Sequence, residues 1–127
     1  MKIYQFINLC IISFGSIIGA YIRFLIIEKV KSKKLNKANR VLIVNLIASF
    51  IIGLFSPLLL ENPSQNHEEL ILFLFGFIGS LSTFSSFILH IFNFSLKKRF
   101  RDILSLIFNS LFFGFISISL GFFISNF

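Results

Sequence analysis

The chain has 127 residues, 56% of them hydrophobic, with 20 Phe, 12 Lys or Arg, five acids and a formal net charge of +7. A soluble domain of this size buries too small a fraction of its chain to hide so much apolar surface, so the composition excludes an ordinary soluble fold and predicts an all-α integral membrane protein. The positive charge does not point to nucleic acid, because the basic residues cluster between apolar runs, and a single cysteine, Cys10, excludes an internal disulfide.

An apolar run of about 20 residues crosses the hydrocarbon core of a bilayer. Four segments reach that length, 3–27, 41–60, 70–96 and 103–127, and predict one four-helix transmembrane domain over residues 1–127. In the first, Lys2 ahead of an apolar run resembles a signal peptide, and Leu9-Cys10 resembles a lipoprotein site. No small-residue cleavage site precedes the cysteine, and a run to Ile27 is too long for a cleaved segment, so a retained helix is expected, with Cys10 filling space in it. Gly15, Gly19 and Arg23 follow at four-residue steps on one face of that helix. Arg23 either snorkels toward the neighbouring charged loop or points inward.

The second span carries Asn45, Ser49 and Gly53 on one face, and Pro57 with the following "ENPSQNH" is expected to close it. The third contains "GFIGSLSTFSSF", residues 76–87, with two glycines and five hydroxyls in twelve residues. In hydrocarbon an unsatisfied polar group is costly, so this run must be hidden in protein or face a wet cavity. Its stripe is Gly76, Ser80, Thr83, Phe87 and His90; that of the fourth span is Ser110, Gly114, Ser117 and Gly121. Small-residue helix packing accounts for most of these positions. It does not account for Arg23 or for the hydroxyls at 80–86.

Ten Lys or Arg lie in or beside the first and third loops: Lys29, Lys31, Lys33, Lys34, Lys37 and Arg40, then Lys97, Lys98, Arg99 and Arg101. The other side has Lys2 alone, with Glu61, Glu68 and Glu69. The positive-inside rule then places both termini outside and the two basic loops in the cytoplasm.

Several function classes fall away. A membrane hydrolase needs a nucleophile and an oriented base, and no intramembrane carboxylate stands ready to orient His90. One histidine with no Cys or carboxylate at ligand spacing makes no transition-metal site, so His90 reads as a packing residue. A proton-coupled transporter, or a small multidrug exporter, would want an intramembrane acid, and all five acids fall in or beside loops. Passive conduction of an anion fits the donors and the arginine; a small membrane subunit whose polar faces only bind partner helices is the alternative.

Three segments, "GSIIGAYIRF" (15–24), "NLIASFIIGLF" (45–55) and "GFIGSLSTFSSF" (76–87), closely resemble the signatures of the Fluc (CrcB) family of fluoride channels. The resemblance covers all four spans in order, the fourth only through Ser110, Gly114 and Gly121. It implies a bacterial plasma-membrane protein that forms an antiparallel, dual-topology-type dimer of four-helix subunits, with fluoride pores along the subunit interface and a break in the third helix. It also implies a central sodium ion, structural or activating and not transported, held by the backbone carbonyls of Gly79 and Ser82. Asn45, Phe84, Phe87, Ser85, Ser86, Thr83 and Ser110 match the fluoride pathway, with Thr83 alternatively supporting the break. Arg23 matches a supporting arginine of the vestibule or the fold, and the function implied is passive fluoride efflux and fluoride resistance.

The chain departs from the family pattern at Ser80 and Ala48, where a glycine is usual, at Ser82, where threonine is usual, and at His90, where glutamate is usual. The loop charges add a further expectation. An antiparallel homodimer needs a chain that inserts both ways, and this chain is strongly biased, which points to a heterodimer with an oppositely oriented homologue.

Overall fold

The computed structural model describes residues 2–29, 36–60, 67–82 and 84–127, and its regular elements are all helical. Helix α1 spans Lys2–Phe24 and continues through a π-helical turn, Leu25–Lys29. Helix α2 spans Lys37–Leu60, α3 Glu68–Leu81, α4 Phe84–Leu96 and α5 Phe100–Ser125. With α3 and α4 taken end to end, four segments among the described residues are long and apolar enough to cross a membrane. Helix α2 begins about a turn before its apolar run, since Lys37, Ala38 and Arg40 are all good helix formers. Lys31, Lys33, Lys34, Glu61 and most of "ENPSQNH" lie outside the described residues.

Helix α2 ends at Leu60, as expected, and carries Pro57 within its last turn. Proline lacks the N–H that would bond the carbonyl four residues back. Here the Ser56 hydroxyl donates to Gly53 O at 2.7 Å, so that carbonyl keeps a partner inside an apolar environment. The helix continues because its neighbour repairs the ladder.

Two helix pairs form the scaffold, α1 with α3 and α2 with α5. Both run parallel, and both close on glycines. A Cβ at Gly15 or Gly19 would overlap the Phe73 or Phe77 carbonyl, and one at Gly76 would overlap that of Ile12. In the second pair, Gly53 meets the Ile118 carbonyl and Gly121 that of Phe50. A serine pins each seam: Ser16 Oγ donates to Ile12 O at 2.9 Å with Gly76 O at 3.3 Å, and Ser117 Oγ donates to Leu46 O at 2.7 Å. In lipid, where burying apolar surface gives helices little reason to associate, such backbone-close contacts supply the packing. Val44, Ala48, Leu74, Ile78 and Leu81 form a small core that joins the pairs.

Most large side chains point outward, including Phe108, Phe112, Phe115 and Phe123 on α5. Cys10 is exposed on α1 as well and does not fill space between helices. At one end, Lys98 adopts a left-handed backbone (φ 52°) between α4 and α5. Lys98 N–H bonds Ser95 O and Arg99 N–H bonds Phe94 O, both at 2.9 Å, a Schellman closure that turns the chain sharply into α5. Asn36 and Asn39 of the α2 start share a cleft with Arg99 and Asp102, so the start of α2 and the basic α4–α5 turn lie at the same end of the bundle.

Candidate functional site

The third span is interrupted. Helix α3 makes its last helical bond from Ser82 N–H to Ile78 O, at 3.0 Å, and Ser82 then takes an extended backbone (φ −75°, ψ 129°). Helix α4 starts at Phe84, so the break falls midway along the 29-residue segment Glu68–Leu96. The local cause is compositional: Gly79, Ser80 and Ser82 are weak helix formers, and serine hydroxyls compete for backbone carbonyls. Ser80 does so, donating to Phe77 O at 3.0 Å. Thr83 lies outside the described residues.

On one side of α4, Asn45, Ser82, Phe84, Phe87 and Ser110 come together with Ile107 and Leu111 around an open groove of about 270 Å³. Helix α2 supplies the amide, the break and α4 the serine and two rings, and α5 the second hydroxyl. The Phe84 and Phe87 rings have centroids 6.5 Å apart with planes inclined by 34°. The Ser82 hydroxyl donates to Asn45 Oδ1 at 3.4 Å, which ties the break to α2.

On the other side of α4 lies a second groove of about 200 Å³, lined by Arg23, Phe24, Ile27, Glu28, Ser85 and Ser86. Arg23 points inward: its Nη1 donates to Ser80 O at 3.0 Å, which excludes the snorkelling alternative. Glu28 stands five residues beyond Arg23, a spacing that an α-helix would place on a different face. The π-helical turn over Leu25–Lys29 widens the winding and returns Glu28 to the Arg23 groove. Sequence periodicity missed Glu28 because it assumes one uniform winding.

The predicted pathway residues therefore divide: Asn45, Phe84, Phe87 and Ser110 share one groove, and Ser85 and Ser86 face the other. His90 is half-buried on α4 and lines neither groove. Gly79 differs from the packing glycines. Nothing lies within 4 Å of where its Cβ would stand, and it borders an apolar groove with Ile52, Leu74, Phe75 and Ile78. Ala48, by contrast, is buried in the core.

Comparison with known proteins bears on this arrangement. The model of the family described as "CrcB-like protein, Camphor Resistance (CrcB)" matches residues 10–122. A "Fluoride-specific ion channel FluC 2" of Prochlorococcus marinus (strain NATL2A) is 36% identical over 121 residues, covering 94% of this chain and 98% of the relative. Another protein of that name, from Prochlorococcus marinus subsp. pastoris (strain CCMP1986 / NIES-2087 / MED4), is 38% identical over 112 residues, 87% of each chain. A "Fluoride-specific ion channel FluC 1" of Prochlorococcus marinus (strain MIT 9313) is 29% identical over 118 residues, covering 91% of this chain and 90% of the relative. These relatives are named as ion channels, not enzymes. A broken third span, glycine-closed helix pairs and a match along nearly the whole chain agree: this protein belongs to the CrcB-like family, among relatives named as FluC channels.

Proposed function

We propose that the chain is one subunit of a passive, fluoride-specific channel that works as an antiparallel dimer and confers fluoride resistance on a bacterial cell. The observation that carries this reading is the break at Ser82, which lies midway along the third span and gathers Asn45, Phe84, Phe87 and Ser110 at one groove.

The break creates two opposite helix ends near the membrane midplane. The last turn of α3 presents carbonyls and the negative end of its dipole; the first turn of α4 presents N–H groups and the positive end. A cation suits the first and an anion the second, so a single interruption serves both. We assign the cation as sodium, held by the carbonyls of Gly79 and Ser82. The residues are compatible with this: the extended backbone of Ser82 turns its carbonyl off the helical path, and nothing in this chain lies within 4 Å of where a Gly79 Cβ would stand. The bound ion would supply a fixed positive charge beside the anion path, without being transported.

The path for the anion begins with donors. In one groove Asn45 and Ser110 offer amide and hydroxyl groups and Phe84 and Phe87 offer positive ring edges; in the other Ser85 and Ser86 offer hydroxyls beside Arg23. A small, tightly hydrated anion gives up its water only against several such contacts in sequence, each weak enough to release it. Fluoride enters cells as neutral HF and ionises inside, so a downhill leak of the anion is sufficient for efflux.

The open side of each groove and the unoccupied face of Gly79 support a second subunit at this seam. The basic end of the bundle favours a single orientation with both termini outside. We therefore infer a partner of opposite charge bias, a second chain of the same family.

Fluoride efflux from liposomes tests the reading, with the chain reconstituted together with its partner. Wild-type protein is expected to release fluoride but not chloride, and Phe84→Ile or Phe87→Ile to abolish release while helicity is retained. Unchanged release in both variants would remove the assignment of the groove as a pore.

A further inference from the structure

We propose that Arg23 is a positioning residue for the cation at the helix break: by holding the Ser80 carbonyl, it fixes the peptide plane that leads toward Ser82 and so orients the carbonyls assigned to the ion. The inference rests on the sodium reading above.

Gly15 and Gly19 bring α1 so near α3 that a Cβ at either position would overlap main chain. Arg23 is one turn further along the same face and so begins beside the final turn of α3. Its guanidinium needs no reach across lipid; Nη1 donates to Ser80 O at 3.0 Å. In that final turn Phe77 O accepts from the Ser80 hydroxyl and Ile78 O from Ser82 N–H, both at 3.0 Å. The carbonyls of Phe77, Ile78 and Ser80 are thus committed to named donors. Gly79 stands between Ile78 and Ser80, and Ser82 two residues beyond Ser80, so the two carbonyls assigned to the ion lie beside or just past held ones.

A peptide group is planar, so fixing the Ser80 carbonyl fixes the plane that leads into Leu81, and with it the approach to Ser82. Hydrogen bonds from a charged donor are stronger than neutral ones, and they strengthen again away from water. Arg23 also carries a positive charge, which opposes a nearby sodium ion. Positioning and repulsion act on sodium affinity with opposite signs, so the sign of the effect tells them apart.

The test is thermal unfolding of the purified, partner-containing protein, with sodium titrated against N-methyl-D-glucamine at constant ionic strength. A ligand that binds only the folded state raises the midpoint with its concentration, so the sodium level giving half of the stabilisation reports affinity without reference to flux. Arg23→Met is expected to raise that level by about tenfold, the loss of one charged hydrogen bond. Arg23→Lys, with one mobile ammonium in place of a planar fork, is expected to raise it by about threefold. If Arg23→Met does not fold, the lysine variant carries the test. A half-point that stays unchanged, with a lower melting temperature at every sodium level, would make Arg23 a fold residue only and overturn the proposal. A half-point that falls would overturn it in favour of repulsion. Wild-type protein that responds equally to both cations would overturn the sodium reading itself, and the inference with it.

Discussion

The Ser82 hydroxyl lies 3.4 Å from Asn45 Oδ1, so the residue that ends α3 is tied to the middle of α2. Through this contact a side chain assigned to the anion path also steadies the break. The two roles separate by substitution. Asn45→Asp keeps an acceptor for Ser82 but places a negative charge beside the path, and like charge repels the permeating ion. We expect it to lower fluoride flux at least about tenfold with helicity intact, whereas Ser82→Ala, which removes one hydroxyl contact, costs only about 0.6 kcal/mol. Equal flux in wild type and Asn45→Asp would take Asn45 out of the pathway.

Gly19 and Gly79 are both helical glycines with opposite surroundings. A Cβ at Gly19 overlaps the Phe77 carbonyl, whereas one at Gly79 meets nothing within this chain. Gly19→Ala is expected to push α1 from α3 and destabilise the subunit by about 1–3 kcal/mol, the usual range for overpacking. Gly79→Ala should leave subunit helicity and melting unaffected and instead weaken dimerisation, read by single-molecule photobleaching in liposomes. A Gly79→Ala protein that dimerises like wild type would place the seam elsewhere.

The Ser56–Gly53 bond predicts a coupled pair. Ser56→Ala should destabilise the protein by about 1 kcal/mol, since it strands a carbonyl opposite Pro57. In a Pro57→Ala background residue 57 regains its N–H, so the same serine substitution should cost almost nothing. A double-mutant cycle of unfolding free energies measures the difference, and strict additivity would sink the repair account.

Charge bias makes a prediction about insertion. With the start of α2 and the basic α4–α5 turn at one end, reporters fused to the carboxyl terminus are expected to signal almost wholly from outside. Replacing Lys97, Lys98 and Arg101 with Gln should increase the inverted fraction. An even split in the wild-type chain would remove the case for a partner of opposite bias.

The scaffold was largely legible from residue spacing. Gly15 with Gly19, and Gly53 on α2 with Gly121 on α5, fall at steps that define one helix face, and the structure uses them as contact faces. Pro57 near the end of α2 marked where that helix closes, at Leu60, but not that a hydroxyl one residue away would replace its missing N–H. The break at Ser82 was visible as a run of weak helix formers, yet composition alone could not decide between a break and a polar packing face. Arg23 remained two-sided in the sequence because its orientation depends on how near α3 comes, and that distance is set by glycines on the two helices. Glu28 was out of reach, since it meets the Arg23 groove only through a change in helical winding. The division of the hydroxyls between two grooves needed the third dimension, as neighbours along α4 point in different directions.

The scaffold's seams, α1 against α3 and α2 against α5, rest on peptide groups meeting hydrogen-sized side chains. A joint of that kind takes its spacing from the main chain and is indifferent to which greasy residue faces the lipid. Sequences of this architecture can therefore drift widely over their outer surface, provided that a few small positions stay small. Laboratory evolution of the outward phenylalanines should meet little resistance, while a single methyl group at a seam should halt it.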